Sequence, residues 1–151
     1  LAADLKYGLM KILRLTLFYF IQLTWAVIQN VLGFLIWLYV LLTGPKEKRR
    51  FFHGALLTRW NLPSSMSMGI FLFMGTDDMH VVVHEYGHTI QSMILGPFYL
   101  PLIGLPSLIW ANSPRYISRR RAGRCRYSSF YPERWANYLG RKYTGREPIS
   151  Y

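Results

Sequence analysis

The chain has 151 residues, enough for one domain, and 52% of them are hydrophobic while only 17% are charged, against roughly a quarter charged in soluble domains. Lysine and arginine number 18 against 7 acidic residues, a net charge of +11, which points to an anionic partner and, with so apolar a chain, to lipid headgroups rather than nucleic acid. The single cysteine, Cys125, excludes an intramolecular disulfide and fits a reducing compartment.

Residues 1–14 are mixed and basic, with Lys6, Lys11 and Arg14, and read as an amphipathic lead-in helix. Residues 15–42 contain no charge; as one straight helix they would measure about 42 Å, against a hydrocarbon core of about 30 Å. The run either spans with a tilt or breaks near Gln29-Asn30 or Gly33 into a re-entrant hairpin. A cleaved signal peptide is not expected, because the run is too long and lacks a small-residue cleavage pattern. Lys46, Lys48, Arg49 and Arg50 follow as a basic anchor. Basic groups at both ends suit a hairpin whose ends both stay cytoplasmic. Residues 1–50 are thus expected to form a membrane-embedded segment with basic flanks, and 51–151 a second unit carrying the chemistry on the cytoplasmic side.

Residues 51–60 are aromatic and strand-tolerant, 61–65 read as a turn, and 67–74 form a short apolar run; together they predict a small antiparallel pair. Thr76 or Asp77 is the expected cap of a helix running from about Asp78 to Leu95, where Gly96-Pro97 stops it. Residues 95–111 are uncharged but hold Pro97, Pro101 and Pro106, which predicts an interfacial segment rather than a clean span. Residues 115–126 contain six arginines and read as a basic loop suited to anionic lipid. Pro132 and Gly140 bracket a predicted two-turn helix. The fold class expected is mainly α with a small antiparallel sheet.

The chemistry centres on His84-Glu85-Tyr86-Gly87-His88. Histidines four apart share one helical face and can hold one Zn²⁺, while the glutamate after the first is placed to take a proton from a metal-bound water. A catalytic zinc wants a third protein ligand and an open position. His80 is too far along the helix axis to share an ion with His88, about 12 Å away; a His80–His84 pair could hold one but would leave Glu85 without a role, and His53 and Cys125 have no motif around them. Only two carboxylates lie downstream, Glu133 and Glu147. Glu133 sits on the predicted last helix, with Ala136 one turn on to allow close helix approach and Asn137 at i+4 to accept a hydrogen bond from a ligand histidine.

This pairing of HEYGH with a later Glu-x-x-Ala-Asn resembles the gluzincins, the zinc metallopeptidase clan that includes thermolysin and the membrane-bound CAAX-prenyl-type endopeptidases. The resemblance covers about residues 67–140. It implies a minimal zincin-like core with one Zn²⁺ per chain held by His84, His88 and Glu133, Glu85 as general base, and Asn137 behind a ligand histidine. A peptide or protein substrate would lie along a strand corresponding to 67–74. Asn137 departs from the aspartate usual in the clan, and no downstream histidine or tyrosine is assignable to the oxyanion from sequence. Intramembrane site-2-type proteases are the nearest competing family, but no aspartate follows Asp78 to supply their third ligand. The alternative in another class is a non-catalytic metal-binding or lipid-binding small membrane protein. The sequence carries no expectation for oligomeric state.

Overall fold

The computed structural model describes residues 2–44 and 49–150; the Lys46 and Lys48 part of the expected basic anchor lies outside them. The architecture is mainly helical with one small mixed sheet. Helix α1 (Ala2–Thr24) and helix α2 (Val27–Thr43) meet in a 90° bend. Strands β1 (Arg50–Phe52), β2 (Ala55–Arg59), β3 (Met66–Met68) and β4 (Phe71–Met74) follow, then helix α3 (Met79–Leu95). A tight turn at Gly96–Phe98 and a wide π turn at Leu100–Gly104 lead into α4 (Leu105–Asn112), α5 (Pro114–Arg121) and α6 (Tyr131–Thr144).

The uncharged run breaks at Trp25-Ala26, a few residues earlier than Gln29-Asn30. The lead-in stretch is continuous with it as α1, and the two helices meet at a right angle instead of continuing as one straight helix. Among the described residues no single helix is long and apolar enough to cross a membrane; the bent pair together has the length and composition. Buried amides hold the elbow. Asn30 Nδ2 reaches the carbonyls of Gln22 (2.7 Å) and Ala26 (2.9 Å), and its Oδ1 accepts from the Ile70 N–H at 2.9 Å. Gln22 Nε2 donates to Thr89 O at 3.2 Å, and Gln29 Nε2 donates to Gly96 O. The Ile70 N–H gains its acceptor this way, while Ala26 O and Gly96 O, which also accept backbone N–H groups, take a second bond that ties the elbow together.

The sheet has the order β1-β2-β4-β3, with β1-β2 and β3-β4 antiparallel but β2-β4 parallel. That corrects the expected antiparallel pair, and the 67–74 run turns out to be most of a hairpin rather than one strand. The reason lies in β4. Its four residues, Phe-Leu-Phe-Met, are all buried, so both of its faces and both of its edges need cover, and only a central position supplies that. Leu72 and Met74 face α3 together with Ala55 and Leu57, whereas Phe71 and Phe73 face α2 with Val40 and Trp37. Both hairpins use two-residue turns: His53 (φ 48°) with Gly54 (φ 93°), and Gly69 (φ 62°) with Ile70. Positive φ at these positions matches the twist of the flanking strands.

Helix α3 starts one residue later than the expected caps allow. Asp78, rather than Thr76 or Asp77, is the cap, accepting from the His80 N–H at 2.9 Å. The arginine-rich stretch is helical over Pro114–Arg121, not a loop. Helix α6 runs on past Gly140 to Thr144 and is closed by Gly145 in the left-handed conformation. Gly140 is instead a packing residue, because a Cβ there would collide with the Val83 carbonyl, and one on Gly87 would collide with the carbonyl of Ala136. Helices α3 and α6 therefore meet backbone to backbone.

Candidate metal centre

Close approach of α3 and α6 brings His84, His88 and Glu133 to one point. All three are buried, at 2%, 7% and 0% exposure. Glu133 Oε2 lies 3.0 Å from His84 Nε2 and 3.4 Å from His88 Nε2, and the three candidate ligand atoms all fall within 4.8 Å of one another. Donors placed tetrahedrally at about 2.0–2.2 Å from a zinc ion stand roughly 3.3–3.6 Å apart. The two glutamate–histidine separations fit an ion of that size to within a few tenths of an ångström.

The orientation of the imidazoles strengthens the case. His84 Nδ1 meets Asn137 Oδ1 at 2.7 Å, and His88 Nδ1 meets Gln91 Oε1 at 2.7 Å. Neither amide is turned the other way, because Asn137 Nδ2 donates to Ile149 O (2.9 Å) and Gln91 Nε2 donates to Pro132 O (2.8 Å). Both amide oxygens are thus acceptors, and each Nδ1 carries the proton. Two neutral imidazoles in that tautomer aim their Nε2 lone pairs at a carboxylate oxygen. Such an arrangement needs a cation at the centre, either a metal ion or added protons.

The protonation balance shows the same demand. Burial lowers the His88 imidazole, but its hydrogen bond to Glu133 and the charges of Glu133 and Glu85 outweigh this and hold it at about 9. Burial raises the Glu133 carboxyl, and the bonds from His84 and His88 overcome that and hold it well below the usual carboxylate range. Glu85 behaves differently. Its burial raises the carboxyl, with His84 and His88 pulling it part of the way back. A carboxylate made more basic next to a metal position is suited to accepting a proton near neutral pH.

The neighbourhood contains groups that the sequence does not single out. Tyr127 lies beside the cluster with its ring 6.3 Å from that of His84. Burial, with Glu133 and Glu85 nearby, pushes its hydroxyl up, so it remains a neutral O–H donor. The Tyr127 hydroxyl is hydrogen-bonded to Glu133. Its only advance signal is a tyrosine six residues before Glu133. Ser107 Oγ donates to the second oxygen of Glu133 at 2.5 Å. Gln91 is three residues past His88, a spacing that brings side chains together on a helix, and could have been named on that ground. His80 stays outside the cluster, exposed, with Nδ1 2.8 Å from Glu147 O. Glu147 is also exposed and pairs with Arg141. Among the described residues no cysteine or aspartate joins the group.

One sheet edge faces the site. Leu56 N–H donates to Ile70 O and Trp60 N–H to Met74 O, so the even-numbered residues of β4 direct their backbone groups toward β2. Phe71 and Phe73 then bond Met68 and Met66 of β3. Ser67, between those two, turns its N–H and C=O away from the sheet, while its buried hydroxyl acts on Glu85. The structure thus shows a buried group of two histidines and a glutamate able to bind a metal ion, with an acid, a phenol and a strand edge around it. Comparison with protein-family models, with curated proteins and with solved structures finds no match.

Proposed function

We propose that the protein is a membrane-associated, zinc-dependent metallopeptidase with the zincin-like arrangement that the gluzincin resemblance implies. The observation that carries this reading is the convergence of His84 Nε2, His88 Nε2 and Glu133 Oε2 with both imidazole tautomers fixed from behind. Two nitrogens and one carboxylate oxygen are the donor set of an open catalytic zinc site. Zinc held there would supply Lewis acidity, polarising a carbonyl and acidifying water. Glu85 takes the proton from the attacking water and later delivers it to the leaving amine. The Tyr127 hydroxyl donates to the oxygen on which negative charge develops. An extended peptide pairs with the outward N–H and C=O of Ser67, so selection by side chain is loose.

The anchor is the α1–α2 elbow, where Leu9, Ile12, Leu13, Leu17, Phe20, Val31, Leu35 and Leu42 are all exposed. Anionic lipids are its natural partners given the +11 charge, and the basic flanks favour the cytoplasmic side for the catalytic unit.

Two substitutions separate binding from chemistry. Glu85→Gln is expected to keep about one zinc per chain while peptide cleavage falls on the order of 10²–10⁴-fold; Glu133→Ala is expected to lose bound zinc. Zinc uptake at pH 7 is expected to release about one proton, because His88 must be deprotonated to ligate, and affinity therefore falls as pH is lowered. Full cleavage by Glu85→Gln would remove the peptidase reading. Zinc binding with no cleavage by the parent protein would leave the non-catalytic metal-binding alternative.

A further inference from the structure

The segment from Gly96 to Asn112 has two unlike faces. Tyr99, Ile103 and Trp110 are buried (4%, 2% and 8% exposed), and with Ser107 they form an inward stripe at spacings of four, four and three. That stripe lies over the metal cluster: Ser107 holds the Glu133 carboxylate, Tyr99 comes close to Ser67 and Glu85, and Trp110 Nε1 donates to Tyr127 O at 3.1 Å. The outward stripe is Phe98, Leu102, Leu105, Leu108 and Ile109, each half exposed or more. Pro101 and Pro106 bring no N–H to the helix ladder, and the chain widens into a π turn around Pro101.

The charges beside that stripe are of one sign. No acidic residue occurs between Glu85 and Glu133. Helix α5 follows at once, with Arg115, Arg119 and Arg121 exposed, and Arg124 and Arg126 are exposed just beyond. Arg120 turns inward instead. It donates to Trp110 O (2.6 Å) and Ala111 O (3.0 Å) and lies over the rings of Trp110 and Tyr127 at 5.1 and 5.4 Å. It thereby pins the basic helix to the end of the apolar one.

We propose that the outer face of the Gly96–Asn112 segment docks on an anionic bilayer, with the α5 arginines on the headgroups, so that the element covering the metal cluster is itself seated in lipid. Nucleic acid would satisfy the arginines but leave the apolar stripe in water. A second copy would cover the stripe but set two like-charged rims against each other. A bilayer carrying negative headgroups matches both features. The inference rests on the membrane part of the proposed function and not on the zinc.

The test uses the full chain with Leu105→Cys in a Cys125→Ser background, labelled with bimane and mixed with phosphatidylcholine vesicles with or without phosphatidylglycerol. On vesicles containing phosphatidylglycerol, acyl-chain bromines are expected to quench the label several-fold while aqueous iodide loses access. The triple change Arg119→Gln, Arg121→Gln and Arg124→Gln is expected to return the label to iodide. If the protein floats with vesicles yet iodide still reaches the label, the docking proposal falls and the elbow anchor stands. If it does not float at all, both fall. A label shielded from both quenchers and cross-linking between chains would identify a second copy as the occupant and overturn the proposal.

Discussion

Two regions of this molecule bury amide side chains for different ends. At the elbow, Gln22, Gln29 and Asn30 bond chiefly to backbone: Thr89 O, Gly96 O, Ala26 O and the Ile70 N–H. They let the chain turn through 90° inside an apolar setting. Around the metal cluster, Gln91 and Asn137 each direct one end to a carbonyl and the other to an imidazole. Their backbone bonds set which amide atom is the acceptor, and that in turn sets the histidine tautomer. The first arrangement stabilises a shape; the second transmits orientation to a reactive group. Losses at the two places should therefore separate into stability and metal affinity.

The largest effect is expected where both properties depend on one contact. Gly87→Ala places a methyl against the Ala136 carbonyl and must push α6, with Glu133, away from α3. Overpacking of this kind costs about 1–3 kcal/mol, and here it should also take zinc content well below one per chain, as read by urea melts alongside metal analysis. A variant that keeps zinc and stability would show that the backbone contact is not what assembles the site.

The comparison is sharpened by two milder changes. Asn137→Ala should lower zinc affinity about 10–100-fold, the usual loss when a group behind a ligand histidine is removed. Its melting behaviour should stay close to that of the parent. Asn30→Leu should do the reverse. It leaves the half-buried Ile70 N–H without its acceptor at a cost of about 1 kcal/mol, while zinc affinity, measured by competition with a chromophoric chelator, stays within a few-fold. Equal effects of both changes on both readouts would erase the distinction between the two sets of amides.

What was legible in the sequence follows from which interactions are local. His84, Glu85 and His88 could be read because helical periodicity alone puts the histidines on one face. Glu133 and Asn137 could be read because their helix is opened by Pro132, and few carboxylates compete. The structure brings these residues together. Gly140 misled, since a glycine that ends a helix and one that admits a neighbouring backbone look alike in sequence; contact with Val83 decides between them. Tyr127 and Ser107 reach the site only through the path of the 96–126 stretch, which no period encodes. The parallel β2-β4 pairing was hidden for a similar reason: a two-residue turn inside the 67–74 run splits what reads as one apolar strand.

The most direct test of the central claim is zinc K-edge X-ray absorption on the full chain loaded with one equivalent of Zn²⁺. The expected first shell has two imidazole nitrogens at about 2.0–2.1 Å and oxygen from Glu133 at about 2.0–2.2 Å, with the imidazole count unchanged in Glu85→Gln and the shell lost in Glu133→Ala. A sulfur scatterer from Cys125, or an identical shell in Glu133→Ala, would contradict it.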